Sequence, residues 1–150
     1  MKIVIASDHA GFEYKNLLIA EIKEMGFDLK DLGAFNQEPS DYPDYAASIA
    51  NALQQHQAER GIIICGSGVG VSVAANKFMG IRAGVCHDVY SAHQCVEHDN
   101  VNVLCIGERV IGIEPAKEII AAFLKAEFSH APRHQRRLDK INLIEKENMK

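Results

Sequence analysis

The segment Gly61-Ile62-Ile63-Ile64-Cys65 is apolar at every position after its glycine and runs straight into Gly66-Ser67-Gly68-Val69-Gly70. A strand that is apolar on both faces must be covered on both, which is the condition of a parallel sheet held between helices. Three glycines in the next five residues then let the backbone turn sharply and approach a neighbour closely. No other stretch restricts the fold so tightly, and the rest of the chain fits round it. Residues 3–7 form a short apolar run ending at the polar turn Asp8-His9-Ala10-Gly11. Tyr14, Leu17, Leu18, Ile22 and Met25 recur at helical spacing, with Gly26 as the stop. Phe27, Leu29 and Leu32 predict a second strand closed by Gly33, and 33–42 is the longest polar loop. Pro43 suits the first residue of a helix carrying Tyr45, Ile49, Leu53 and His56 on one face.

After the glycine loop a helix of small residues is expected through about residue 78, with Gly80 after it. Residues 81–86 read as the fourth strand, 90–98 as a helix and 102–106 as the fifth strand. Pro115 opens a further helix using Ile119, Ile120 and Phe123. A basic patch, Arg133-His134-Gln135-Arg136-Arg137, precedes a last helix with Leu138, Ile141 and Ile144. Strand and helix alternate throughout, which predicts an α/β chain: a three-layer Rossmann-like fold with a five-stranded parallel sheet and helices on both faces. The 150 residues fit one domain, 1–150, whose C-terminal helix at about 137–148 is a candidate for dimerisation.

Composition narrows the function classes. A net charge of −4 argues against a nucleic-acid binder led by bulk charge while leaving local anion sites open. Apolar runs of only a few residues fall far short of a membrane span. The start, Met-Lys-Ile-Val-Ile-Ala-Ser-Asp, reads as a first strand and has no cleavage pattern of a signal peptide. A cytoplasmic protein with no membrane and no nucleic-acid partner is the expectation. Cys65, Cys86, Cys95 and Cys105 show no CxxC spacing, and Cys86 and Cys105 lie in apolar segments as small buried hydrophobes would.

In doubly wound sheets ligands sit beyond the carboxyl ends of the strands. Two loops occupy that position, Asp8-His9 and 65–70. Backbone amides at a glycine-rich helix start point outward, and the helix dipole favours an anion. The dinucleotide fingerprint requires a third glycine where Val71 stands, and no Gly-Lys-Ser/Thr follows, so a small oxyanion fits better than a nucleotide. A thiol at this place has its thiolate favoured. Beside amide donors Cys65 can serve as a general base or nucleophile, against the plainer reading of a packed strand-end cysteine.

Among the seven histidines, His56, His87, His93 and His130 read as surface or packing residues. His130 and His134 are four apart, but Pro132 between them disfavours the helix of a two-histidine metal site. No spacing suggests a metal, and no cofactor is called for. His9, at a strand's carboxyl end, is the better candidate. His98 closes a helix that runs back to the opposite edge of the sheet, so it reaches a site containing Cys65 only from a second subunit. Arg133, Arg136 and Arg137 are either a solvated charge run or a phosphate clamp.

Six stretches carry a family resemblance in order along nearly the whole chain: Ser7-Asp8-His9-Ala10-Gly11, Asp41-Tyr42-Pro43, Cys65-Gly66-Ser67-Gly68-Val69-Gly70, Ala75-Asn76-Lys77, Gly80-Ile81-Arg82-Ala83 and Asn102-Val103-Leu104. Arg133-His134 and Arg137 follow near the end. The chain resembles the type B ribose-5-phosphate isomerases, in the family that includes the galactose-6-phosphate isomerase subunits. The resemblance implies a metal-free interconversion of ribose 5-phosphate and ribulose 5-phosphate through an enediol. It implies Cys65 as the base between C2 and C1, with Ser67 and the amides of Gly66, Gly68, Val69 and Gly70 holding the enediolate oxygens. His98 matches the residue that opens the furanose ring, and Asp8 one that handles hydroxyl protons. His9, Arg109, Arg133 and Arg137 match sugar- and phosphate-binding positions. Homodimers, or tetramers built of dimers, with shared active sites are implied as well.

Two positions depart from the family pattern: Asp99 follows His98 where Asn is common, and Ser67 stands where Thr is frequent. An ionised Asp99 accepts a hydrogen bond from a sugar hydroxyl but cannot donate one. Two alternatives stand beside the pentose phosphate reading. One is an isomerase of allose or galactose 6-phosphate. The other is a non-catalytic sugar-phosphate sensor, against which the joint presence of Cys65, Ser67 and His98 argues.

Overall fold

The computed structural model describes residues 1–149. Five strands form one all-parallel sheet: β1 (Lys2–Ser7), β2 (Asp28–Asp31), β3 (Arg60–Cys65), β4 (Ala83–Val85) and β5 (Val103–Gly107), in the order β2-β1-β3-β5-β4. Six α-helices connect and flank them: α1 (Phe12–Glu24), α2 (Tyr42–Gln54), α3 (Val69–Ala75), α4 (Val89–Asp99), α5 (Ile113–Lys125) and α6 (Pro132–Asn148). The three central strands have fully buried interiors because each face carries its own core. Ile3, Ile5, Ile62, Ile64, Leu104 and Ile106 pack towards α1, α4 and α5. Val4, Ala6, Ile63, Cys65, Val103 and Cys105 pack towards α2 and α3. This is the three-layer α/β arrangement that strand–helix alternation predicts.

The strand order positions the site. β1 is flanked by β2 on one side and β3 on the other, so the chain leaves β1 and β3 towards opposite faces and a crevice opens between their carboxyl ends. Close packing maintains it: a Cβ on Gly11 would lie 2.4 Å from the Ile64 carbonyl oxygen, so only glycine lets the Asp8–Gly11 turn rest on β3.

Several boundaries differ from the sequence reading. α3 stops at Ala75, three residues early, because the Asn76 side chain pairs with β4 like a strand. Its Nδ2 donates to the Ala83 carbonyl (3.0 Å) and its Oδ1 accepts from the Ala83 N–H (2.8 Å). α6 begins at Pro132, not near 137, since the chain turns at Ser129–Ala131, where the Ala131 N–H donates to Ser129 Oγ. The basic patch is therefore the first turns of a helix, with His134 and Leu138 facing inward. On α1, Leu17 faces outward at 53% exposure while Lys15 is fully buried. Its ammonium donates to the Asp31 carboxylate (2.8 and 2.9 Å) and to the Ala34 carbonyl (2.5 Å), pinning the strand that follows to the helix. Lysine hides here because every donor it has finds an acceptor. α2 starts at Tyr42, one residue before Pro43.

Candidate active site

Asp8, Cys65 and Arg109 come from the ends of three adjacent strands and meet in a cleft of about 410 Å³ at the carboxyl edge of the sheet. A larger hollow of about 780 Å³ lies at the amino edge, between Lys2, His56, Asn102 and Glu145, but it gathers none of the loop chemistry.

Asp8 is buried and caps the short turn after β1, accepting from the N–H groups of Ala10 (2.9 Å) and Gly11 (3.1 Å). His9 is tied both ways to Ser40. Its backbone N–H donates to Ser40 Oγ (3.2 Å), and its Nδ1 accepts from the Ser40 N–H (3.1 Å). With Nδ1 an acceptor, the neutral ring carries its proton on Nε2 and has a donor to offer.

Cys65 closes β3, and its Sγ accepts a hydrogen bond from the Gly68 N–H at 3.1 Å. Gly68 makes this bond from a left-handed conformation (φ 79°) that favours glycine. Ser67 is exposed at the tip of the loop, with its Oγ accepting from the Val69 N–H (3.1 Å). The loop after β5 is laminated on this one. Glu108 N–H donates to the Cys65 carbonyl (2.9 Å) and Arg109 N–H to the Gly66 carbonyl (3.1 Å). The Arg109 guanidinium lies over Gly66, where an added Cβ would come within 3.3 Å of Nη1. Behind it, Glu108 accepts from the Tyr14 N–H (3.2 Å), and burial pushes its carboxyl above the usual range. Cys105 is a contrast on the same face: fully buried, its thiol pushed up by desolvation, with no route to a ligand. All four cysteines are free.

Of the predicted site residues, Asp8, His9, Cys65, Gly66, Ser67, Gly70 and Arg109 line the cleft. Gly68 and Val69 sit just behind them, Gly68 through its bond to sulfur. His98, Asp99, Arg133 and Arg137 do not line it. They lie where the end of α4 meets the start of α6. His98 stacks on His134 with ring centroids 4.0 Å apart, and its Nδ1 is 2.9 Å from Gln94 Nε2. His134 Nδ1 is 2.5 Å from Ser129 Oγ. Burial, with His98, Arg133 and Arg137 nearby, holds the His134 ring below the usual imidazole range. Arginines gathered in this way can attract an anion.

Ala10, Tyr42 and Val110 also line the cleft and carried no role in the sequence reading, and Tyr42 is the largest of them. Its ring covers Gly70, where an added Cβ would lie 2.8 Å from Cζ, and so lines the cleft beside the glycine loop. The signal was Pro43, which marks a helix start and so brings the residue before it to the carboxyl edge. Ser40 gave no signal, since its role depends on a loop folding back over His9. Among the described residues no three His, Cys, Asp or Glu side chains are grouped to hold a metal ion, and no helix is long and apolar enough to cross a membrane.

A model of the family described as Ribose/Galactose Isomerase matches residues 3–141. The chain belongs to the Ribose/Galactose Isomerase family. Ribose-5-phosphate isomerase B of Escherichia coli is 45% identical over 144 residues, 96% of each chain. The solved structure of Clostridium thermocellum ribose-5-phosphate isomerase B superposes with a TM-score of 0.95 at 44% identity, covering 98% of this chain and 99% of that one. The D-erythrulose-4-phosphate isomerase 2 of Mycolicibacterium smegmatis is 40% identical over 131 residues, 85% of this chain and 86% of its own. Membership in the Ribose/Galactose Isomerase family makes the protein an enzyme of the sugar-phosphate isomerase class, and its members differ in the sugar they take.

Proposed function

We propose that the protein interconverts ribose 5-phosphate and ribulose 5-phosphate, with Cys65 as the base. The observation that carries the reading is the seat of Cys65: a strand-end sulfur that accepts the Gly68 N–H, in a cleft shared with Asp8, Ser67 and Arg109. Proton abstraction beside a carbonyl needs a base and a stabiliser of the developing oxyanion together. The Cys65 thiolate takes the C2 proton of the open-chain aldose and leaves an enediolate. Ser67 and the loop amides hold the enediolate oxygens. The thiol returns the proton to C1 while a hydroxyl proton passes from O2 to O1, a transfer suited to Asp8. The sugar's two carbons exchange oxidation state internally, so the reaction calls for no external oxidant or reductant.

The substrate is a closed ring carrying a phosphate dianion, and two further needs follow. His98 opens the ring, and Arg133 and Arg137 grip the phosphate with help from His9 and Arg109. Since His98, Arg133 and Arg137 lie outside the cleft of their own chain, a second copy of the chain supplies them in a homodimer. Its contact surface includes the exposed Val69 and Val73 of α3 and the C-terminal helix α6. Asp99 beside His98 accepts a hydrogen bond from a sugar hydroxyl.

The test is an isomerase assay on the purified protein in EDTA, with ribose 5-phosphate, allose 6-phosphate, galactose 6-phosphate and D-erythrulose 4-phosphate side by side. Fast turnover of the pentose phosphate is expected. Preference for another sugar would move the substrate and keep the residues. Binding without turnover of any sugar phosphate would overturn the enzyme reading in favour of a sensor.

A further inference from the structure

β5 carries the wall of the cleft beyond its own end, yet it is supported by a full strand on one side only. On the β3 side, pairing continues from Gly61↔Val103 to Cys65↔Gly107. On the other side β4 is three residues long and pairs only as far as Val85↔Cys105. The Cys86 N–H adds one more bond to the Cys105 carbonyl (3.3 Å), and then the chain leaves the sheet for Asp88, which caps α4 by accepting from the Ser91 N–H (2.7 Å). Gly107 is buried, so its N–H needs a partner that β4 no longer supplies. The His87 side chain takes that place: its Nε2 accepts the Gly107 N–H at 2.9 Å. The ring acts as one further rung of the missing strand.

Gly107 is the point on which both walls of the cleft rest. An added Cβ there would lie 2.5 Å from the Ser67 carbonyl carbon, so the backbone of Gly107 touches that of the glycine loop directly. Its carbonyl accepts the Val110 N–H (3.0 Å), which starts the turn carrying Arg109. Any shift of Gly107 therefore reaches Ser67 on one side and Arg109 on the other. We infer that His87 is a positioning residue, which acts through the Gly107 N–H to seat Ser67 and Arg109 against the substrate. It is not among the residues that line the cleft. The geometry also assigns its tautomer: Nε2 accepts, so the neutral ring carries its proton on Nδ1. Partial burial favours the neutral form, and the adjacent Asp88 opposes it.

The proposal rests on the isomerase reading for its kinetic consequence and on the hydrogen bond alone for its spectroscopic one. Nitrogen-15 NMR of the imidazole in the unliganded protein should show Nδ1 protonated and Nε2 bare. An Nε2–H tautomer would overturn the tie whatever the enzyme catalyses. In kinetics on ribose 5-phosphate, His87→Leu should lower kcat/KM about tenfold, mostly as a rise in KM through Arg109. His87→Gln, whose carbonyl oxygen reaches about as far as Nε2, should recover most of that loss. If His87→Leu fails to fold, His87→Asn, too short to reach Gly107, takes its place. A folded Leu or Asn variant with wild-type kcat and KM would overturn the positioning role, and so would a folded Gln variant no better than Leu. Absence of ribose 5-phosphate turnover in the wild type would instead strike the isomerase reading and leave the NMR result to decide the tie.

Discussion

The cleft at the carboxyl edge and the cluster where α4 meets α6 hold the residues of one proposed reaction but are built in opposite ways. In the cleft, main-chain bonds fix nearly everything. Gly68 N–H meets Cys65 sulfur, Glu108 and Arg109 amides meet the carbonyls of Cys65 and Gly66, and Asp8 caps its own turn. In the cluster, side chains support one another: His98 stacks on His134, which leans on Ser129, while Arg133 and Arg137 stand exposed on the first turns of α6. The proposed base, which proton transfer would require to be exact to a fraction of an ångström, sits on sheet and backbone. The proposed phosphate grip, Arg133 and Arg137, sits on a helix and is cationic. The proposed base is thus held by the backbone of one chain, whereas the proposed anion grip lies on an exposed helix surface.

The largest expected effect separates the two regions by deleting the centre of the first. Cys65→Ala should lower isomerisation by at least about 10³-fold with the thermal midpoint little changed, as assayed by turnover and calorimetry. Near-normal turnover would remove the thiolate from the mechanism. Next comes a test of whether the regions work in one chain or across two. Cys65→Ala and His98→Asn, each inactive alone, should regain about a quarter of wild-type activity when unfolded together and refolded, because half the dimers are mixed and each holds one intact site. No recovery, with mixed dimers present by mass, would return both regions to a single chain.

Smaller effects sharpen the contrast. Gly70→Ala should push the Tyr42 ring aside and raise KM by roughly threefold, with kcat nearly kept, because a side-chain end yields where backbone would not. Unchanged KM would mean that Tyr42 forms no part of the substrate wall. The cluster also carries a pH signature. His134 is held below the usual imidazole pKa of about 6.5 by burial first and then by His98, Arg133 and Arg137. Above that value the ring is neutral in both folded and unfolded chains. Below it the unfolded chain binds a proton that the folded one resists, so stability falls as pH drops from about 6.5 through the lowered value. His134→Gln should flatten this fall in urea midpoints measured between pH 7 and 5. A variant as pH-dependent as the wild type would exclude His134 as its source.

Much of this was legible along the chain. The apolar run into Gly66-Ser67-Gly68-Val69-Gly70 foretold a covered parallel strand and the place of its loop, and the turn after residues 3–7 foretold Asp8 and His9 at the same edge. Less legible were the helix faces and ends. Leu17 fits the apolar stripe of α1 yet faces outward, while Lys15 lies inside because Asp31 and the Ala34 carbonyl meet its ammonium. Asn76 ends α3 early by pairing with a strand seven residues ahead. His87 reads as a packing residue because nothing near it in sequence reveals that β4 would stop two residues before it and leave Gly107 without a partner.

Local pattern alone set the succession of strands and helices, the all-parallel sheet and the loop holding Cys65, because periodicity and glycine placement are local and the chain cannot ignore them. The packing of distant elements was needed before Tyr42 could line the cleft, Ser40 orient His9 and His87 prop Gly107. It also set Arg133 and Arg137 apart from the cleft of their own chain, beside His98, whose separation the direction of α4 had already implied. Each of these depends on how two distant elements meet, and the pattern of one element carries no record of the hydrogen-bonding groups that another will present to it.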